Sequence, residues 1–150
     1  MDVCKSDHPF PYRNSEHTCA YSYLAPILVK ILGEGKTLNI LELGCGNGYF
    51  CDVLSKMGHK VVGVDISEIG ISIAKKSFPH IQFMKCDIYN IEADPMFSGK
   101  YFDVIVAIEV IEHLQYPKEF IKIAKKYLKQ QGQLIVTTPY HGYLKNLMLY

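Results

Sequence analysis

Residues 38–50 read LNILELGCGNGYF. Leu38–Leu43 is a short, mostly apolar run closed by glycines, which is typical of a buried β-strand. The alternate glycines that follow let the backbone turn sharply and approach a ligand without Cβ clashes. Apolar spacing typical of a helix then resumes at Phe50 and continues to Met57. The segment therefore predicts a strand, a tight glycine turn and a helix whose N-terminus offers free N–H groups to a carboxylate or phosphate.

Outward from this segment, the chain continues to alternate strands and helices. Short apolar runs predict four more strands, at residues 60–65, 81–86, 102–108 and 133–138. Helical stripes run from Leu24 to Leu32 and from Phe120 to Leu128, and a further helix is expected between an N-cap at Ser67 and about Ser77. Apolar strands followed by amphipathic helices imply a parallel sheet that is covered on both faces. We therefore predict an α/β fold, a doubly wound and mostly parallel sheet with five strands.

The length of 150 residues is that of a single domain. We expect residues 1–36 to form an irregular lead-in and the first helix, and residues 37–140 to form the ligand-binding core. Residues 141–150 begin another helical stripe, which the end of the sequence interrupts. The fifth strand then leaves an open, apolar sheet edge, through which two copies of the chain could pair.

Composition and charge exclude several classes of protein. Hydrophobic residues make up 49% of the chain, which is enough for one core and excludes a disordered tail. Sixteen basic and fifteen acidic side chains leave a net charge of +1, so no overall field attracts nucleic acid. The longest apolar run, Val104–Ile108, is far shorter than the roughly 18 residues of a membrane span. Five scattered cysteines without a C-x-x-C pair indicate reduced thiols, and we expect a cytoplasmic protein.

Acidic residues lie at the ends of successive predicted strands. Asp65 follows the second strand and Asp87 the third, while Glu42 precedes the glycines. A carboxylate at the tip of the second strand can accept both hydroxyls of a ribose, and one at the next tip can meet a purine amine. Such an acidic rim repels pyrophosphate and suits a nucleoside with a sulfonium amino acid. The alternative is that each aspartate only caps the following helix.

In this order, the runs LELGCGNGYF, VVGVDIS, KCDIYN and FDVIVAIEVIEHL resemble the motifs of class I S-adenosylmethionine-dependent methyltransferases, over roughly residues 37–140. The resemblance implies a seven-stranded sheet, of which this chain lacks the last two strands. It also implies S-adenosylmethionine (SAM) as the cofactor, with the methionine part on the glycine loop, the ribose on Asp65 and the adenine against Ile66 and Asp87. The residues expected to bind SAM are Glu42, Gly44, Cys45, Gly46, Asn47, Gly48, Asp65, Ile66, Asp87, Ile88, Ala107, Ile108 and Glu109.

The segment after the fourth predicted strand, Glu109 to His113, reads EVIEH. In a first helical turn, Glu109, Glu112 and His113 would share one face, where they could bind Mg²⁺, Mn²⁺ or Zn²⁺. The segment resembles that of ubiquinone-biosynthesis O-methyltransferases, which implies a small phenolic acceptor. It also resembles that of small-RNA 2′-O-methyltransferases, where it implies a metal site, and the segment at Thr137–Pro139 is similar to that group. The alternatives are that His113 is the general base or that it only orients the loop while Glu109 lines the cofactor pocket.

Three other groups are weaker candidates. His141 could be a further ligand or base, or an exposed loop residue. The lysines of one helix could form a nucleic-acid patch, but their spacing opposite the apolar stripe indicates a solvated face. These lysines are Lys118, Lys122, Lys125, Lys126 and Lys129. Aromatic residues near the N-terminus could form a lid over the site or pack on the sheet edge; they are Phe10, Tyr12, Tyr21 and Tyr23.

The sequence thus favours a SAM-dependent methyltransferase that methylates an oxygen of a small molecule. Two alternatives stay open, a fragment that binds the cofactor without turnover and an RNA 2′-O-methyltransferase. An NAD oxidoreductase is disfavoured because Tyr49 stands where the dinucleotide pattern G-x-G-x-x-G has its third glycine.

Overall fold

The computed structural model describes residues 21–33 and 35–139. Its helices are α1 (Tyr21–Leu32), α2 (Tyr49–Lys56), α3 (Glu68–Ser77) and α4 (Pro117–Tyr127). Its strands are β1 (Asn39–Leu43), β2 (Lys60–Asp65), β3 (Gln82–Lys85), β4 (Phe102–Ile108) and β5 (Leu128–Thr137). Short 3-10 helices span Ile88–Ala93, Pro95–Phe97 and Ile111–His113.

The five strands form one parallel sheet in the order β3-β2-β1-β4-β5. The strand order reverses at β1, where Ile40 pairs with Val61 of β2 on one side and Val104 of β4 on the other. Such a reversal opens a crevice beyond the carboxyl ends of the central strands, where open α/β sheets bind their ligands. The predicted doubly wound, parallel α/β fold is confirmed.

Helices cover both faces of the sheet because the central strands are apolar on both sides. Ile40 packs with Leu28 of α1 and Leu54 of α2 on one face. Leu41 packs with Phe120 of α4 on the other face. Alternate side chains of one strand therefore enter two separate cores, as expected for a strand that is buried on both sides.

The predicted helix and strand boundaries hold with one exception. Ser67 caps α3 as expected, because its Oγ accepts a hydrogen bond from the backbone N–H of Gly70 at 3.1 Å.

β5, however, begins at Leu128 and not at Gln133. Phe102 pairs with Leu128 and Val104 pairs with Gln133, so residues 129–132 form an irregularity opposite a single residue of β4. Leu128 continues the apolar stripe of α4 in sequence, but its backbone is already extended, with φ −81° and ψ 142°.

Several predictions concern residues outside the described ranges. They are the N-terminal lead-in with Phe10 and Tyr12, the side chain of Tyr21, His141, and the interrupted helix after residue 140. None of the helices within residues 21–33 and 35–139 has the length and apolar character needed to cross a membrane.

Close packing at Gly63 in β2 gives a test of the core. A Cβ at this position would lie 2.7 Å from the ring of Phe83, 2.8 Å from Cys51 Sγ and 2.9 Å from Cys45 Sγ. We expect Gly63→Ala to lower the free energy of unfolding by about 1–3 kcal/mol, because the core has to shift. Ser72→Ala on the exposed side of α3 is the control and should change it by less than about 0.5 kcal/mol. Equal urea midpoints for the two variants would contradict the packing described here.

Candidate active site

The loop after β1 lies at the carboxyl edge of the sheet, the edge at which the parallel strands end. Its glycines adopt positive φ angles, 80° at Gly44, 52° at Gly46 and 80° at Gly48. The backbone N–H groups of Gly44 and Cys45 both donate to the carbonyl of Val64, at 2.7 and 2.9 Å. A Cβ on Gly48 would lie 2.7 Å from the ring of Phe83. Glycine is therefore required here both for the turn and for the close approach to β3.

The carboxylate of Asp65 joins this loop to the next one. Its Oδ2 accepts a hydrogen bond from the N–H of Gly46 at 2.8 Å, and its Oδ1 accepts one from the N–H of Ser67 at 2.7 Å. Asp65 is 6% exposed, and this burial raises its pKa while the backbone hydrogen bonds oppose the rise. Asp65 therefore supports the start of α3, as the capping alternative expected, and also shapes the glycine loop.

The other residues expected at the nucleoside end lie beside Asp65. Asp87 follows β3, and its Oδ1 accepts from the N–H of Tyr89 at 2.9 Å, so it caps the first 3-10 helix. Ile88 is buried, whereas Ile66 at the end of β2 leaves 57% of its surface exposed. The exposed Ile66 is an apolar surface on which a flat ring could lie.

Glu109, directly after β4, has an unusual backbone. Among the described non-glycine residues it alone has a positive φ, 55°. Its N–H donates to Thr137 Oγ1 at 3.1 Å, and the Thr137 hydroxyl donates to Glu109 Oε1 at 2.9 Å. Strained backbone of this kind costs about 1–3 kcal/mol and is concentrated at functional sites.

The next residue, Val110, faces the glycine loop. A Cβ built on Gly44 would clash with Val110 Cγ2, so the two loops touch. The glycine loop, Asp65, Asp87 and Glu109 thus stand at the carboxyl ends of β1, β2, β3 and β4, at one edge of the sheet.

Comparison with known proteins identifies the family. A family model described as a methyltransferase domain matches residues 16–149. The chain belongs to this methyltransferase domain family.

Several known proteins are similar to this chain in sequence or in structure. The ubiquinone biosynthesis O-methyltransferase of Bartonella quintana is 35% identical over 104 residues, which cover 69% of this chain and 42% of that protein. The probable S-adenosylmethionine-dependent methyltransferase Rv3030 of Mycobacterium tuberculosis is 28% identical over 82% of this chain and 41% of that protein. The crystal structure of a TehB-like SAM-dependent methyltransferase from Corynebacterium glutamicum is 28% identical with a TM-score of 0.63, and covers 75% of this chain and 60% of that one. This methyltransferase domain therefore spans less than half the length of the first two relatives.

Glu42 lies beneath the glycine loop of the methyltransferase domain and not on its rim. It is 1% exposed, and burial raises its pKa to about 8. The thiol of Cys51 donates to Glu42 Oε2 at 2.9 Å, and Cys45 hydrogen-bonds to Cys51. The expectation that Glu42 completes a charged rim is therefore wrong, because the carboxyl group is enclosed and is largely protonated at neutral pH.

The predicted metal cluster does not form. Among the residues that the structure describes, no three histidine, cysteine, aspartate or glutamate side chains form a group that could hold a metal ion. Glu109 precedes the 3-10 turn Ile111–His113 and turns its carboxylate to Thr137, so it does not share a helical face with Glu112 and His113. The described residues do not fit a metal, and no step of the reaction is derived through one.

His113 lies exposed in this turn, and its N–H donates to the carbonyl of Val110 at 3.0 Å. The turn follows the strained Glu109 directly, at the carboxyl edge of β4. The position of His113 is thus compatible with a role at the site, and its role as a base stays a prediction.

Three of the five lysines in the α4 region pair with acids. Lys122 pairs with Glu119, Lys126 with Glu92 and Lys129 with Asp103, at 2.7–2.8 Å. These pairs fit the solvated face that the spacing indicated.

A cavity of about 540 Å³ opens at the opposite edge of the sheet, where the strands begin. His59, His80 and Lys100 are among the residues that line it. Ligands of open parallel sheets bind beyond the carboxyl ends of the strands, so we assign the active site to the other edge despite this cavity.

Sequence reasoning missed three residues of the site. Cys51 holds the buried Glu42, Val110 contacts the glycine loop, and Thr137 fixes Glu109. Only Thr137 had a signal, because the segment Thr137–Pro139 resembles that of small-RNA 2′-O-methyltransferases. The contacts of the other two depend on tertiary packing that no local pattern shows.

The buried Glu42 gives a prediction on pH dependence. Between about pH 5 and 8, Glu42 is ionised in the unfolded chain but protonated in the native one, so the free energy of unfolding falls as the pH rises. The fall amounts to about 1.4 kcal/mol for each pH unit in that window. We expect Glu42→Gln to remove it in urea titrations at several pH values.

The control variant is Glu112→Gln, which changes an exposed carboxyl group of the same type. It should keep the pH slope of the unmodified chain. A Glu42→Gln variant with that same slope would show that Glu42 is not buried as described.

Proposed function

We propose that this domain is the cofactor-binding part of a SAM-dependent methyltransferase that methylates an oxygen of a small molecule. The observation that carries the proposal is the carboxylate of Asp65, held between the glycine loop and the start of α3. It stands at the end of the second strand in a chain of the methyltransferase domain family.

The residues fit the parts of SAM. A carboxylate has room for about four hydrogen bonds, so Asp65 keeps acceptor capacity for the ribose hydroxyls after binding its backbone donors. The adenine would lie on the exposed Ile66, with Asp87 near its amine. The positive-φ glycines let the backbone of the loop approach the methionine part without Cβ atoms in the way. Carboxylates at Asp65, Asp87 and Glu109 suit a ligand with an ammonium and a sulfonium charge.

Bound SAM would supply an electrophilic methyl group. The chain contributes by orienting the cofactor through Asp65 and the glycine loop and by excluding water from the buried side of the crevice. His113 would take the proton of the acceptor hydroxyl at the carboxyl edge of β4.

The acceptor class rests on the relatives. Ubiquinone biosynthesis O-methyltransferases from several organisms are 32–37% identical to about two thirds of this chain. A phenolic hydroxyl is the acceptor that we propose by analogy with them. A second candidate is a domain that binds SAM without turnover, which a turnover assay with a phenol distinguishes from the first. Pairing of two copies through β5 and a cytoplasmic location stay predictions.

The proposed role of Asp65 gives a prediction on cofactor binding. In calorimetric titrations, we expect SAM to bind this chain with micromolar affinity and Asp65→Asn to weaken binding at least about tenfold, because the amide cannot accept on both sides. Asp103→Asn at the amino edge is the control and should leave the affinity unchanged, since Asp103 contacts Asn39 and Lys129. A folded chain that does not bind SAM would refute the proposed function.

The proposed role of His113 as the general base gives a prediction on the rate of methyl transfer. His113→Ala should lower the rate of methyl transfer to a phenolic acceptor about 100-fold, the lower end for loss of a general base, and should leave the affinity for SAM unchanged. His80→Ala replaces an exposed histidine at the amino edge and should have no effect. Equal rates for His113→Ala and the unmodified chain would remove His113 from the mechanism. A chain that binds SAM but never turns over with any phenol would favour the second candidate function.

A further inference from the structure

Thr137 and Glu109 form a closed hydrogen-bonded unit between the ends of β5 and β4. The N–H of Glu109 donates both to the Thr137 carbonyl, at 3.3 Å, and to Thr137 Oγ1, at 3.1 Å. The Thr137 hydroxyl then donates to Glu109 Oε1, at 2.9 Å. Since Glu109 has a positive φ, these bonds hold a backbone conformation that glutamate disfavours.

This hydrogen-bonded unit fixes the position of the negatively charged Glu109 carboxylate. Glu109 follows β4, and its neighbour Val110 touches the glycine loop at Gly44. The Glu109 carboxylate is therefore held at the carboxyl edge of β4 against Thr137 of β5, and the next residue contacts the loop on which the amino-acid part of SAM would lie. Its Oε2 accepts no hydrogen bond from the residues that the structure describes.

We propose that Thr137 is a positioning residue that holds the Glu109 carboxylate beside the sulfonium centre of SAM. The proposal rests on the function proposed above and deepens it. It assigns to this pair the part of the affinity for SAM that depends on the positive charge of the sulfur atom.

The charge of the ligand changes during the reaction. When the acceptor oxygen attacks, a bond forms between this oxygen and the methyl carbon, and the carbon–sulfur bond breaks with its electron pair left on sulfur. The acceptor proton goes to the base, and the product S-adenosylhomocysteine (SAH) has a neutral sulfur. Glu109 attracts the sulfonium of the cofactor but not the neutral thioether of the product, so this part of its contribution favours the exchange of SAH for SAM.

The other acids of the site should not contribute to this discrimination. Asp65 and Asp87 would contact the ribose and the adenine, which SAM and SAH share. Glu42 is largely protonated at neutral pH, because burial raises its pKa to about 8. Glu112 is exposed to solvent, where screening weakens its effect.

The test is calorimetric titration of the chain with SAM and, separately, with SAH. Thr137→Val removes the hydroxyl at nearly constant shape, and Glu109→Gln removes the charge. We expect both variants to bind SAM about 5- to 10-fold more weakly, as for a charge pair at the edge of the protein. The affinity for SAH should stay within about twofold. Thr137→Ser keeps the hydroxyl and should bind SAM with the affinity of the unmodified chain.

Thr138→Val, at the exposed next position, is the matched control and should change neither affinity. Equal weakening of SAM and SAH in Thr137→Val would mean that Thr137 only supports the loop, and would overturn the proposal. So would an unchanged ratio of the two affinities in Glu109→Gln. If the unmodified chain binds neither compound, the proposed function itself fails, and that result differs from a loss of discrimination.

Discussion

The carboxylate of Asp65 accepts hydrogen bonds from the backbone of two loops, at Gly46 and at Ser67. The first loop follows β1 and the second begins α3, so a single side chain fixes the ends of two neighbouring strands relative to each other. The glycine loop reinforces this arrangement through the bonds of Gly44 and Cys45 to Val64. The shape of the crevice depends on this contact, because the Asp65 carboxylate joins the backbone of both loops.

The strained backbone of Glu109 lies at the same edge. Among the described residues it is the one non-glycine residue with a positive φ, and the central strand β1 beside β4 is buried on both faces. Rigid strands can hold such conformations because their packing and hydrogen bonds outweigh a local cost of a few kcal/mol. The buried, raised-pKa Glu42 adds a second cost below the loop. Both features lie at the carboxyl edge, to which we assign the cofactor. They distinguish this edge from the amino edge, where the cavity lies.

Most of the fold was predictable, because apolar runs of five to seven residues bounded by glycine or aspartate indicate buried β-strands. The start of β5 was not, since Leu128 satisfies both the helical stripe and the strand, and only pairing with Phe102 decides between them. The glycine loop and the two aspartates follow from local sequence. The conformation of Glu109 does not, because its hydrogen bonds reach Thr137, 28 residues further on. A local helical spacing therefore suggested a metal cluster that the tertiary structure separates.

The most direct test of the account is a titration of the ¹⁵N-labelled chain with SAM, followed through its backbone amide signals. We expect the signals of Gly46, Ser67 and Glu109 to shift together and to saturate, because all three border the crevice at the carboxyl edge. The amides of Asn39 and Gln82 at the amino edge should not move. Shifts confined to the amino edge would place the ligand in the other cavity and would contradict the assignment of the active site.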